Sequence, residues 1–165
     1  MTPQIVRLTI EELQHVQDIA HRTWPSTFKD ILTSDQIQYM LEWMYNLDTL
    51  EQQFNDGQRF YAGKENDQFL GFAAIELNHP EPGKVKLHKL YVLPDQHGKG
   101  FGKMLLDHVA EEAKREHMQS IVLNVNRYNS AVKFYENYGF STLKEEIIDI
   151  GSGFIMDDFV MGMEL

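Results

Sequence analysis

Cysteine is absent from the 165 residues, which excludes disulfides, thiolate metal centres and a cysteine nucleophile. No apolar run approaches the ~20 residues that a helical membrane span requires. The opening Met1-Thr2-Pro3-Gln4 lacks the basic-then-apolar pattern of a secretion signal, so a cytoplasmic location is the expectation. Proline is scarce, and two of the five prolines fall in Asn78–Gly83, which reads as a loop. Positive charge is also in short supply: 15 Lys and Arg face 25 Asp and Glu, a net charge of −10. A surface of that sign repels phosphates and anionic lipid, so neither nucleic acid nor a membrane is an expected partner.

What is present describes an ordinary globular chain. Apolar residues make up 42% and charged residues 24%, and the length suits one domain with one core. Residues 1–83 carry 13 acids and 5 bases, whereas residues 84–165 carry 12 and 10. Lys84, Lys86, Lys89, Lys99 and Lys103 lie within 84–103 against Asp95 alone. That local excess is either a solvated face or a docking edge for a polyanionic cofactor, with the acidic remainder suited to a cationic substrate.

Hydrophobic spacing orders the elements. A Thr9/Glu12 capping box followed by Leu13, Val16, Ile19 and Ala20 predicts a helix over about 9–21 that Pro25 ends or interrupts. Thr33 with Gln36 opens a second helix, whose stripe is Ile37, Met40, Leu41, Met44 and Tyr45. Asp48 with Glu51 opens a short third helix closed by Gly57. Arg59–Gly63 and Gln68–Leu77 read as a hairpin. A strand over Lys84–Leu93, a helix over Phe101–Met118 and a strand over Ser120–Val125 follow, then a short helix stopped by Gly139 and two strands around Gly151-Ser152-Gly153. The order αα(α)-ββ-βαβ-α-ββ predicts one α/β (α+β) domain with a mixed sheet and helices on both faces.

Two stretches carry chemistry. In His97-Gly98-Lys99-Gly100-Phe101-Gly102-Lys103, between a strand and a helix, alternate glycines let backbone approach a ligand, and the first-turn amides favour an anion such as a pyrophosphate. The same glycines would also serve a plain strand-to-helix turn, and they match neither a phosphate loop nor a dinucleotide fingerprint. The second stretch is Asn129–Phe140, an amphipathic helix whose Phe134, Tyr135, Tyr138 and Phe140 would on spacing alone be core aromatics. The seven histidines include no His-x-x-x-His pair, so no metal is expected.

Leu90-Tyr91-Val92, then His97–Gly102, then Asn129, Ala131 and Phe134-Tyr135-Glu136-x-x-Gly139-Phe140 together resemble the GNAT N-acetyltransferases in order and spacing. The resemblance covers about 84–140. It implies a single N-acetyltransferase domain over 1–165: a helical substrate-side segment (1–58), an acetyl-CoA-binding core (84–140) and a C-terminal β-hairpin (141–165). It further implies that the backbone of Leu90, Tyr91 and Val92 pairs with the pantetheine arm of acetyl-CoA. The stretch His97, Gly98, Lys99, Gly100, Phe101, Gly102 and Lys103 would hold the pyrophosphate, and Asn129 would lie near the thioester. Tyr135 would be the acid that protonates the departing thiolate. The first loop position is usually Gln or Arg and here is His97, and Asn129 sits one residue closer to Tyr135 than in many relatives. Thr23–Phe28, Tyr39–Phe54 and the tail Gly151–Met161 extend the resemblance toward the bacterial polyamine N-acetyltransferases.

The implied activity is transfer of acetyl from acetyl-CoA to a primary amine of a small molecule, such as a polyamine, by direct attack in a ternary complex. Alternatives are acetylation of a peptide or protein amine and a non-catalytic acetyl-CoA sensor. Such an amine is almost wholly protonated at pH 7, so a base is needed. His88 on the strand bordering the thioester is the first candidate and Glu76, acting directly or through a water, the second; the alternative for His88 is a strand histidine without a role. Trp24, Phe28 and Asp157 are the expected substrate contacts, with Trp43, Tyr45 and Asp158 beside them. Asp157 and Asp158 would attract a polycation or guard a strand edge. Dimers are common in the family, and the two-stranded tail offers an edge for a homodimer.

Overall fold

The computed structural model describes residues 3–165; Met1 and Thr2, part of the stretch read for a secretion signal, lie outside them. A short edge strand β1 (Gln4–Arg7) leads into a 3-10 turn at Ile10–Glu12 and the helices α1 (Leu13–Phe28), α2 (Ser34–Met44) and α3 (Leu47–Asn55). The Thr9 N–H donates to Glu12 Oε1 at 2.9 Å, and the Thr33 hydroxyl accepts from the Gln36 N–H at 3.1 Å, as the capping patterns predict. Two details differ. Helix α1 continues through Pro25 to Phe28, because Trp24 and Phe28 both bury on its core face and offset the cost of one missing backbone hydrogen bond. Helix α3 is capped by the Asn46 side chain rather than Asp48, with Asn46 Oδ1 accepting from the Thr49 N–H at 2.8 Å.

The strands β2 (Arg59–Glu65) and β3 (Gln68–Leu77) form the expected hairpin, turning at Asn66 and Asp67, both at positive φ. Then come β4 (Lys84–Val92), α4 (Phe101–Arg115), β5 (Ser120–Asn126), α5 (Ala131–Tyr138), β6 (Ser141–Gly151) and β7 (Phe154–Glu164). The seven strands form one mixed sheet in the order β1-β2-β3-β4-β5-β7-β6, antiparallel except where β4 meets β5. Strand alternation sends neighbouring residues to opposite faces. Phe60 stacks on Phe54 of α3, while Tyr61 meets His108 of α4, so the first three helices cover one face and α4 the other. Phe101, the first residue of α4, packs over Gly63, where a Cβ would stand 1.8 Å from its ring. Tyr138 donates its hydroxyl proton to Asp107 at 2.7 Å and fixes α5 beside α4.

Candidate active site

The site begins at a break in the sheet. Strands β4 and β5 pair only from Lys84 with Ser120 to Leu87 with Leu123, although β4 runs on to Val92 and β5 to Asn126. The cause is a β-bulge. Ala74 on β3 faces Lys89 and Ile75 faces Leu87, which leaves His88 as an extra residue that bends β4 away from its parallel neighbour. From His88 to Val92 the β5-facing edge of β4 has no strand partner, and the gap opens into a cavity of about 880 Å³. That volume suits a large ligand, and an unpaired strand edge suits one with amide groups.

At one end of the cavity stands the glycine loop. Gly98 and Gly100 have φ of 81° and 78°, the left-handed region, and a Cβ on either would meet no protein atom within 4 Å. Gly100 is the N-cap of α4 and offers no side chain, so the first amides of the helix are left for an external acceptor. His97 lines the cavity, but its Nε2 is held by the Val92 carbonyl at 2.8 Å, tying the loop to the end of β4. Phe101, Gly102 and Lys103 line it as well; Lys99 does not. The expected cluster of lysines is dispersed. Lys84 pairs with Glu81, Lys86 bonds Asn124, and Lys89 is buried against Gln53 at 2.8 Å between the rings of Tyr45 and Phe60. Only Lys99 and Lys103 of the five remain beside the loop.

At the other end α1, α2, β4, β5, α5 and the β6–β7 hairpin converge. Trp24 and Phe28 are buried there, with Trp24 5.7 Å and Phe28 6.5 Å from the Tyr91 ring between centroids. Tyr135 is buried on α5 against Phe134 and Phe140 and reaches the same space. Burial holds its hydroxyl well above the usual phenol range, so it carries its proton at every physiological pH. Asn129 lines the wall beside it, with its side-chain carbonyl spent on the Ala131 N–H at 2.9 Å. His88 lines the cavity, and its Nε2 lies 2.9 Å from Glu76 Oε1, with Glu76 set behind it off the cavity wall. Burial pushes the His88 imidazole down, against the opposing pull of Glu76, so the ring is neutral at pH 7. In the tautomer that donates Nε2–H to Glu76, Nδ1 is left as an acceptor.

Of the acidic pair on β7, the structure turns Asp158 toward the cavity rather than the expected Asp157. Asp157 does not line the cavity: its Oδ1 accepts from Arg127 Nε at 2.7 Å on the opposite face of the strand. Asp158 faces the cavity and is 1% exposed. Its Oδ2 accepts from Asn124 Nδ2 at 3.3 Å, Glu146 accepts from the same amide at 3.2 Å, and its Oδ1 has no partner. Burial raises the Asp158 carboxyl above its ordinary range and pushes the Lys86 ammonium down. Trp43 is 49% exposed and does not line the cavity, whereas Tyr45 is wholly buried on the wall. Asn124, Glu146 and Gln36 were not foreseen. Alternation on β5, β6 and β7 could have placed Asn124, Glu146 and Asp158 on one face once the strand pairing was known.

Residues 28–156 match the family model described as "Acetyltransferase (GNAT) domain". The chain belongs to the GNAT acetyltransferase family. The spermidine N(1)-acetyltransferase of Thermoplasma acidophilum is 28% identical over 163 residues, covering 95% of this chain and 97% of that one. The [ribosomal protein bS18]-alanine N-acetyltransferase of Haemophilus influenzae is 32% identical over 116 residues, 69% of this chain and 75% of its own. Among solved structures, the PaiA N-acetyltransferase of Thermoplasma acidophilum in complex with coenzyme A superposes with a TM-score of 0.84 at 23% identity, covering both chains completely. The Escherichia coli ribosomal-protein-S18-alanine N-acetyltransferase gives 0.75 at 18% identity, covering 99% and 94%. These two superpositions establish a common fold.

The acyl donor of GNAT acetyltransferases is acetyl-CoA, and the cavity of this GNAT chain fits it. A gap between parallel strands with one free amide edge suits the pantetheine arm, and glycines with open space above them suit a pyrophosphate at an uncapped helix start. Glu76, His79 and His88 also form a cluster whose ligating atoms all lie within 4.8 Å of one another. The spacing of the histidines along the chain gives no sign of it, because the hairpin between β3 and β4 brings them together.

Proposed function

We propose that the chain transfers acetyl from acetyl-CoA to a primary amine of a small polycation such as spermidine, by direct attack within a ternary complex. The observation that carries this is Asp158, a buried carboxylate with one unpartnered oxygen and Glu146 beside it, on the cavity that also holds His88 and Tyr135. A buried carboxylate oxygen without a donor is costly, and a second ammonium of the substrate would satisfy it. Acetyl-CoA supplies the activated acyl group. Leu90, Tyr91 and Val92 would hold its arm, and the Gly98–Lys103 backbone its phosphates. His88, oriented by Glu76, would take the proton from the attacking nitrogen through Nδ1, and Tyr135 would return one to the leaving sulfur.

A peptide amine is the second reading, favoured by the relative that acts on the alanine of ribosomal protein bS18. The acceptor side argues for the smaller substrate. Tyr39 donates its hydroxyl proton to the Ile150 carbonyl at 2.6 Å and Gln36 Nε2 donates to the Ile155 carbonyl at 2.7 Å, fastening the β6–β7 hairpin to α2 where Gln36 and Ile155 line the cavity, and a peptide would have to pass that fastening. The test is thiol release from acetyl-CoA with spermidine, spermine, short diamines, amino acids and peptides, run beside Tyr135→Phe. Turnover on polyamines that falls at least about tenfold in the variant, with acetyl-CoA still bound, is expected. Turnover on peptides alone, or an unaffected variant, would remove this assignment.

A further inference from the structure

The Glu76, His79 and His88 cluster offers one carboxylate and two imidazoles at the closed end of the β3–β4 hairpin. Glu76 Oε1 lies 2.9 Å from His88 Nε2 and Glu76 Oε2 lies 3.6 Å from His79 Nδ1. Ligands of a tetrahedral zinc ion at ~2.0–2.1 Å stand a little over 3 Å apart, so small side-chain adjustments would place all three on one ion and leave a fourth position for water. The loop that carries His79 is fixed by its own bonds. The Gly83 N–H donates to Asn78 Oδ1 at 2.9 Å, the His79 N–H to the Lys84 carbonyl at 3.0 Å, and the Lys84 N–H to the Glu81 carbonyl at 3.2 Å. His88 enters the cluster from the bulge on β4, with its ring 5.4 Å from that of His79 between centroids. The donor set, two imidazoles and a carboxylate, is that of zinc and its neighbours rather than of magnesium or calcium.

We propose that Glu76, His79 and His88 bind a divalent transition ion of the zinc type, and that its binding shuts off acetyl transfer. A neutral imidazole has one proton and one free lone pair. When His88 Nε2 gives its lone pair to a metal, the ring proton resides on Nδ1, and the nitrogen proposed to accept the amine proton becomes a donor. The ion also takes Glu76 away from its partner. The amine then loses the acceptor proposed for its proton. The inhibitory half rests on His88 acting as the base; the binding half does not.

His79 separates the two, since it lies on the far side of Glu76 from His88 and does not line the cavity. Zinc affinity is measured by competition with a chromophoric chelator, and ligand geometry by the visible absorption of Co²⁺, on tag-free wild-type protein and on His79→Ala. One equivalent of zinc, a tetrahedral cobalt spectrum, and an affinity at least about tenfold weaker in His79→Ala are expected. Zinc should inhibit wild-type turnover at the concentrations at which it binds, and should inhibit His79→Ala at least about tenfold less effectively, with metal-free turnover and thermal midpoint close to wild type. Absence of stoichiometric binding, or equal affinity in the variant, overturns the site. Binding that depends on His79 but leaves turnover untouched overturns the inhibition and counts against His88 as the base, whereas polyamine turnover without metal tests the proposed function separately.

Discussion

In the proposed function, Asp158 would recognise the second ammonium of the substrate through a single oxygen. Its Oδ2 is engaged by Asn124 and its Oδ1 is buried without a donor. Replacement by Asn removes the charge, keeps the shape and can keep the contact with Asn124. Burial already raises the Asp158 carboxyl, so its ionised form costs the folded state stability at neutral pH, and Asp158→Asn should melt at the same temperature or higher. Its effect should fall on the substrate. A charged hydrogen bond is worth ~1.5–3 kcal/mol, so KM for spermidine should rise about tenfold to a hundredfold, while kcat and the KM of a monoamine change little. Steady-state kinetics on the two acceptors checks this, and equal losses on both would assign Asp158 to the scaffold. The contrast between Asp157 and Asp158 also shows where sequence stops. Both residues sit on a readable strand, but which of two alternating faces meets the cavity depends on β7 lying between β5 and β6, a pairing that no local pattern encodes.

Legibility among the elements follows how local their causes are. Helices α2 and α5 and the terminal hairpin are written in caps, stripes and glycines, and they occur within a residue or two of expectation. Strand β1 has only Ile5 and Val6 as apolar signal in four residues, and it exists because the edge of β2 was free to pair. The bulge at His88 is equally silent in sequence, yet it makes the cavity. Lys89 shows the same limit. As part of a basic run it reads as surface, but the bulge turns it under α3, where burial lowers its ammonium to about 8. Between that value and the unfolded ~10.4 the unfolded chain binds the extra proton, so stability contributed at this position rises with pH across about 8 to 10.4. Below pH 8 the buried charge costs on the order of 3 kcal/mol relative to a neutral side chain. Lys89→Met should therefore be more stable than wild type at pH 7, and the advantage should shrink as pH climbs toward 10. Urea midpoints of both proteins at pH 7, 8.5 and 10 measure it, and a pH-independent difference would mean that the lysine is not titrating as a buried group.

Charge ties the two ends of the cavity to the whole molecule. At −10 the chain repels acetyl-CoA at long range, and the donor end answers with short-range devices: Lys103, Lys99 beside the loop, and the uncapped amides of α4. The acceptor end carries Asp158 and Glu146 against Lys86, so in the proposed function the local field keeps the sign of the global one and both would draw a polycation inward. Screening removes the long-range part first, since the Debye length is about 10 Å at 0.1 M salt. With acetyl-CoA saturating, kcat/KM for spermidine should fall about tenfold as NaCl rises from about 20 to about 200 mM, whereas a monoamine, with a third of the charge, should lose roughly twofold. The same titration in Asp158→Asn separates the two contributions: the short-range term disappears from KM at every salt concentration, while the slope set by the remaining net charge persists. Equal slopes for triamine and monoamine in the wild-type protein would mean that the acidic surface does not steer the acceptor, and that recognition rests on contacts within the cavity alone.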